Sequence, residues 1–174
     1  ILPDFWVFVD CSFSITLQMT NYRKSNEIKI GLRRKMREGR VWLNCTRFLG
    51  YTKDENGHLV IVEDEAKIVR KIFELYLNGL GVRKIKKYLE ENRIKTVTGK
   101  SEWSTSTIDR ILDNEKYVGD VIMQKSFTEN SLTGKRKKNT GELDMYFIEN
   151  DHEPIVSRED YKSVQAKKRK STRT

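Results

Sequence analysis

The sequence predicts an α+β protein: a helical core carrying a helix-turn-helix-like element, with small antiparallel sheets beside it. Three observations carry that prediction. Apolar residues recur at helical spacing in several separate segments, an Asn-Gly pair sits between two short β-rich runs, and only Pro3 and Pro154 interrupt 174 residues.

Taken in order, Phe5, Trp6, Val7, Phe8 and Val9 have the composition of a strand, with nothing evident to pair with it. From Tyr22 to Gly39 the pattern becomes a basic helix, with Ile28 and Leu32 at i and i+4 and Gly39 as its stop. Arg33, Arg34, Lys35 and Arg37 fall late in that helix, where cations suit the helix dipole and equally suit phosphates. Residues Val41 to Val62 read as extended. Phe48-Leu49-Gly50-Tyr51 and His58 to Val62 flank Asp54-Glu55-Asn56-Gly57, a hairpin signal. Glu63-Asp64-Glu65 then opens a helix to Asn78, whose Ala66, Val69, Phe73 and Tyr76, beside Ile68, Ile72 and Leu75, form a core stripe. Gly79 and Gly81 stop it.

Between Gly81 and Asn92, Val82, Ile85, Tyr88 and Leu89 share one helical face, and Arg83, Lys84, Lys86 and Lys87 point outward. A turn holding Gly99 and Lys100 follows, then a short helix to Leu112 in which Ser104 is the expected N-cap, its hydroxyl accepting a backbone N–H of the next turn. Ile108, Ile111 and Leu112 turn inward with Trp103, which leaves Ser106, Thr107 and Arg110 on the outer face. Tyr117 to Gln124 reads as a strand and Lys125 to Gly141 as a polar loop holding Lys135-Arg136-Lys137-Lys138. Leu143, Met145 and Phe147 alternate as in a strand, and Ser157-Arg-Glu-Asp160 resembles a capping box opening a last helix through Tyr161 and Val164. The run Lys167 to Arg173 is a helix end, a linker or a DNA-tracking tail; composition does not choose. The expected organisation is an unassigned segment 1–18, a basic linking helix 19–40, a DNA-binding domain 41–166 and a basic tail 167–174.

Thirty-four Lys and Arg against 25 Asp and Glu give a formal charge of +9, which favours a polyanionic partner, although many basic proteins bind nothing acidic. Cys11 and Cys45 are too few and too separated for a metal knuckle, and His58 and His152 are isolated. No glycine-rich phosphate loop and no nucleophile–base pairing stand out, so no catalytic residue, cofactor or metal is assigned. No stretch is long and apolar enough for a membrane span, and Ile1 to Leu17, with Asp4 and Asp10, makes a poor signal peptide. A reducing cytoplasm fits the cysteine usage.

Two short helices, the first basic and the second rich in small hydroxyl side chains, suit a duplex groove. Short hydroxyls let a helix approach base edges and Arg pairs bidentately with guanine, so Ser106, Thr107 and Arg110 are the candidate base readers. Arg83, Lys84, Lys87 and Lys100 are candidate phosphate contacts, as are Arg40 and Arg47 in the stretch between helix and hairpin. Lys135, Arg136, Lys137 and Lys138 are either a solvated loop or a phosphate or minor-groove contact.

The order of several short motifs is more specific than any one of them. Phe48-Leu-Gly-Tyr51, the helix Glu63 to Asn78, Gly81 to Asn92 and Trp103-Ser104 through Leu112 are followed by Asn114-Glu-Lys-Tyr117-Val-Gly119-Asp120, Gln124-Lys125, Asn139-Thr-Gly141, Tyr146-Phe147 and His152-Glu-Pro154-Ile155. From about Ser25 to Lys170 this order resembles the recombinase domain of large serine recombinases, in the resolvase/invertase superfamily. The resemblance implies double-stranded DNA as partner, an attachment-site half-site bound by the 81–112 element, with residues 40–46 crossing the minor groove and self-association on DNA in a full-length parent. Ser25 to Gly39 looks like the end of the family's long linking helix, and His152-Glu-Pro154 like a fold-stabilising turn. The tyrosine-x-arginine-x-serine pattern of the family's catalytic domain and the zinc-ribbon cysteines have no counterpart here, so the chain itself is not expected to be an enzyme. Residues 1–18 are vector-derived, a remnant, or native sequence without a place in the pattern. The competing expectation is a helix-turn-helix transcriptional regulator acting by DNA binding alone.

Overall fold

The computed structural model describes residues 20, 23–38, 48–129 and 134–171. The expected strand at 5–9 and the candidate contacts Arg40 and Arg47 lie outside the described residues. By its internal contacts the chain divides into two units, one of Ile1–Val41 with Met123–Tyr146 and one of Trp42–Ile122 with Phe147–Thr174.

In the first unit, helix α1 spans residues 23–37, and Arg34 pairs with Glu38 one turn on at 3.1 Å. Ile28 and Leu32 do fall at helical spacing, but both are exposed. The same unit holds β4 (Ser126–Thr128) and β5 (Arg136–Lys138), an antiparallel pair in the register Ser126↔Lys138, Phe127↔Lys137, Thr128↔Arg136. The basic run expected as a loop is therefore a strand. Asn139 is the reason: 4 % exposed, it donates through Nδ2 to the Gln124 and Leu143 carbonyls at 3.0 and 2.7 Å. Its Oδ1 accepts from the Gly141 and Leu143 amides, and its own amide donates to the Lys125 carbonyl at 2.8 Å. One side chain thus closes the base of the hairpin with every polar group partnered.

The second unit holds the helical core. Strands β1 (Tyr51–Lys53) and β2 (Leu59–Ile61) pair antiparallel around the Asn-Gly turn, where Gly57 has φ 87°. Helix α2 (Glu63–Leu77) buries Ala66, Val69, Ile72, Phe73 and Leu75. Its acidic first turn does more than suit the dipole, since Glu65 accepts the Gly50 amide at 2.7 Å. Helix α3 (Val82–Glu91) adds Ile85 and Leu89, α4 (Thr105–Leu112) adds Ile108, Ile111 and Leu112, and α5 (Arg158–Ser171) adds Val164. The N-cap half of the expected capping box of α5 is present: the Ser157 hydroxyl accepts the Asp160 amide at 3.0 Å, and it donates to the Asp160 carboxylate at 2.8 Å. The run from Lys167 to Lys170 continues that helix.

The segment read as a strand from Tyr117 to Gln124 is two structures. Glu115–Val118 is a 3-10 turn capped by the Asn114 side chain, Gly119 leaves it in the left-handed region at φ 85°, and only β3 (Val121–Met123) is extended. Strand β6 (Tyr146–Ile148), of which only Phe147 belongs to the alternating trio seen in sequence, is the hydrogen-bonded neighbour of β3.

The 3-10 turn is where the core closes. The Tyr117 hydroxyl donates to the Leu49 carbonyl at 3.0 Å, and the Tyr117 carbonyl accepts the amides of Ile155 and Val156. Tyr51 donates to the Glu153 carbonyl at 2.7 Å, and the His152 ring, edge-on to Tyr51 at 4.9 Å, donates through Nε2 to the Lys116 carbonyl at 2.6 Å. Burial pushes both tyrosine hydroxyls well above their ordinary pKa, so they stay donors at any working pH. Asp120, 5 % exposed, is held bidentately by Arg158 at 2.8 and 2.6 Å.

A Cβ at Gly119 would lie 2.6 Å from the His152 carbonyl oxygen, on a backbone that L-residues rarely adopt. Gly119→Ala is expected to lower stability by roughly 2–5 kcal/mol through the left-handed penalty and the overpacking together. Thermal denaturation of the variant checks this, and an unchanged midpoint would contradict the packing described.

Candidate nucleic-acid interface

The site is built on α3, the connection from Asn92 to Ser104, and α4. That connection is longer than the three or four residues of a simple helix-turn-helix, and it has its own structure. The Thr96 amide donates to the Lys100 carbonyl at 2.8 Å, the Thr96 hydroxyl accepts the Lys100 amide at 3.1 Å, and Gly99 supplies φ 77°. Trp103 fastens the far end. Its side chain is 1 % exposed, its indole N–H donates to the Ile94 carbonyl at 2.8 Å, and its amide donates to Glu90 on α3 at 2.8 Å. Turn and helix therefore leave the core at fixed positions.

Ser104 occupies the N-cap position of α4, but its hydroxyl makes no cap bond. It pairs with the Ser106 hydroxyl at 2.7 Å instead, so the expected Ser104 cap is corrected and Ser106 is engaged with it.

Helix α4 is anchored on its opposite side by α5. Gln165 donates to the Leu112 carbonyl at 2.8 Å and Tyr161 to the Asp113 carbonyl at 3.0 Å. Burial, reinforced by the carboxylates of Glu115, Asp113 and Asp120, pushes the Tyr161 hydroxyl up to about 12. Lys168 bridges Asp109 at 3.1 Å and Asp113 at 2.7 Å. Desolvation alone would lower the Lys168 pKa, but the two carboxylates outweigh it and raise it. One lysine on the α5 side thus pairs with both Asp109 and Asp113 and offsets half of their charge.

On the other side a cleft of about 710 Å³ opens. Of the residues singled out in sequence it brings together Lys100, Thr107 and Arg110. Arg83, Lys84, Lys87 and Ser106 are exposed but do not line it. Arg110, Lys100, Arg83 and Lys84 have no acidic partner among the described residues, whereas Lys87 lies 3.6 Å from Glu91. The sequence reading missed Lys86, Thr96 and Thr98 as cleft residues. The only sequence signal for that wall was Gly99, which marks a turn without saying where its neighbours point.

The hairpin of the first unit presents a second basic surface. Arg136, Lys137 and Lys138 are all exposed. Lys137 pairs with Glu142 at 3.0 Å, and Arg136 donates to the Ser126 hydroxyl at 2.8 Å. Among the described residues no group of three or more His, Cys, Asp or Glu is placed to hold a metal ion. No helix among them is long and apolar enough to cross a membrane.

Residues 63–171 match the family model described as Recombinase. The chain belongs to the recombinase family. A Bacillus subtilis (strain 168) protein named "Putative DNA recombinase" is 30% identical over 115 residues, covering 63% of this chain and 23% of that protein. The Escherichia coli (strain K12) protein YbcK is 28% identical over 102 residues, 55% of this chain and 20% of its own length. The chain thus spans between a fifth and a quarter of these curated relatives. Among solved structures, a chain of a crystal structure of an LSR–DNA complex is similar with a TM-score of 0.50 and 23% identity, covering 73% of this chain and 33% of that one. A chain from work on the sequence requirements of the Listeria innocua prophage attP site gives 0.56 and 22%, covering 80% and 50%. At those identities the likenesses show the fold, an α+β domain with helix-turn-helix-like helices.

The hairpin carries a titration signature. Glu142 accepts from the Thr140 amide at 2.7 Å and from Lys137, and these hold its carboxyl down at about 2 against an ordinary 4.5. A depressed carboxylate contributes its stability above the unfolded pKa and loses it as pH falls. The hairpin is therefore expected to weaken from about pH 4.5 down to about 2. The Thr140 amide resonance should titrate with a midpoint near the lower value; a midpoint near 4.5 would mean that these bonds are not formed.

Proposed function

We propose that this chain binds duplex DNA sequence-specifically, as the DNA-binding part of a serine site-specific recombinase. The observation that carries the reading is the cleft beside α4, where Arg110 and Lys100 stand without acidic partners among the described residues. Asp109 and Asp113 are paired with Lys168 on the α5 side, and Glu102 is the acid on the cleft wall. Membership of the recombinase family and likeness to a chain from an LSR–DNA complex support it.

In this reading α4 enters the major groove. Thr107 and Arg110 meet base edges, with the Ser104–Ser106 hydroxyl pair at the helix start. Arg83, Lys84, Lys87 and Lys100 approach phosphates, as do Arg136 and Lys138 of the hairpin, with Arg40 and Arg47 on the stretch that leads in. The DNA-binding domain is proposed over 41–166, with an attachment-site half-site as ligand and cytoplasm as location. Self-association on DNA is proposed for the full-length parent alone.

Selection of bound sequences from a randomised duplex library at about physiological salt tests the reading, and an enriched motif of half-site length is expected. Arg110→Ala should then reduce discrimination at one base pair of that motif by about 1–3 kcal/mol while nonspecific binding persists. Equal preference in variant and parent would remove Arg110 from the interface. A palindromic motif bound by a compact dimer would favour a regulator acting by binding alone.

A further inference from the structure

The basic run 135–138 looks uniform in sequence, but the strand it forms sorts its members. Side chains alternate between the faces of a strand, and residues directly opposite across an antiparallel pair share a face. The register of β4 and β5 therefore puts Ser126, Thr128, Arg136 and Lys138 on one face and Phe127 and Lys137 on the other. The Arg136–Ser126 bond, made along the diagonal, agrees with that assignment.

The two faces differ in charge. Lys137 is matched by Glu142 at 3.0 Å, and that carboxylate is itself fixed by the Thr140 amide at 2.7 Å and hydroxyl at 3.1 Å. A phosphate arriving on this side meets a fixed negative charge. On the opposite face Arg136 uses one guanidinium N–H on Ser126 and keeps the rest, and Lys138 has no partner among the described residues. Two exposed cations two residues apart, with two hydroxyls across the ladder, form a surface to which a charged backbone can bind without displacing an acid.

We propose that the hairpin binds duplex phosphates through one face only, that of Arg136 and Lys138 with Ser126 and Thr128, and that Lys137 is a structural partner of Glu142. The proposal rests on the DNA-binding reading above. It divides the three cations of β5 into two readers of the backbone and a hairpin staple.

The test is the dependence of duplex affinity on salt, from about 50 to 200 mM, for the whole chain and for Arg136→Gln, Lys138→Gln and Lys137→Gln. Each phosphate contact contributes about 0.9 to the slope of log affinity against log salt. Lys138→Gln and Arg136→Gln should each flatten the slope by about that amount, and Lys137→Gln should leave it unchanged. The Lys138 side chain makes no hydrogen bond or ion pair among the described residues, so its variant keeps the fold; the Asn139 amide resonance verifies this. If the parent binds and neither Arg136→Gln nor Lys138→Gln changes the slope, the hairpin proposal falls while the DNA reading stands. A slope lost equally in Lys137→Gln overturns the division into faces. A parent chain that retains no duplex at any salt overturns both.

Discussion

The larger unit depends on the way a single 3-10 turn, Glu115–Val118, is tied to three distant parts of the chain. Tyr117 reaches Leu49 through its hydroxyl and Ile155 and Val156 through its carbonyl, and the next residues bring Gly119 against the backbone of His152. Tyr51 and His152 close the same knot from the hairpin side, with their polar atoms on the carbonyls of Glu153 and Lys116. Each hydrogen bond is worth only about 0.5–1.5 kcal/mol net, but a buried donor left unpaired costs more. The knot is therefore sensitive to the loss of any member. It also fixes where α4 ends and α5 begins, because both helices flank it.

That fixity produces the candidate interface. Helix α4 is short, and a helix of its length has little stability of its own. It is held by Ile108, Ile111 and Leu112 from within, by Trp103 at its start and by Gln165 and Tyr161 at its end. The arrangement leaves one face free. Lys168 pairs with Asp109 and Asp113 on the α5 side, and Lys86 lies 3.7 Å from Glu90. Among the described residues the cations of the cleft without an acidic partner are therefore Arg110 and Lys100, with Glu102 the acid on the cleft wall. Packing and electrostatics thus share one geometry: the helix that anchors α4 also offsets part of its negative charge.

The smaller basic surface follows a different logic. Asn139 and Glu142 are polar residues close to the strand they support, and their bonds run mainly to backbone amides and carbonyls. Such local side-chain-to-backbone bonds order a segment that has few apolar residues to bury.

Much of this was legible in the sequence, because it is carried by periodicity and by local signals. The stripes of α2, α3 and α4, the Asn-Gly hairpin and the Ser157 N-cap were read correctly, since each depends on residues within a few positions of one another. The order of motifs pointed to the recombinase family, and the match over residues 63–171 shows it. What the sequence did not contain was the outcome of competition between local preference and distant partners. Tyr117 and Val118 have β propensity, yet Asn114 and Gly119 bend them into a turn because Leu49, Ile155 and Val156 wait there. Ser104 has the composition of a cap, yet Ser106 takes its hydroxyl. The four cations of 135–138 are equivalent as letters, and only the strand register and the position of Glu142 tell Lys137 from Lys138. Sequence alone determined the element types, the core faces and the family. Tertiary structure decided which polar groups are already satisfied, because that depends on contacts between residues far apart in the chain.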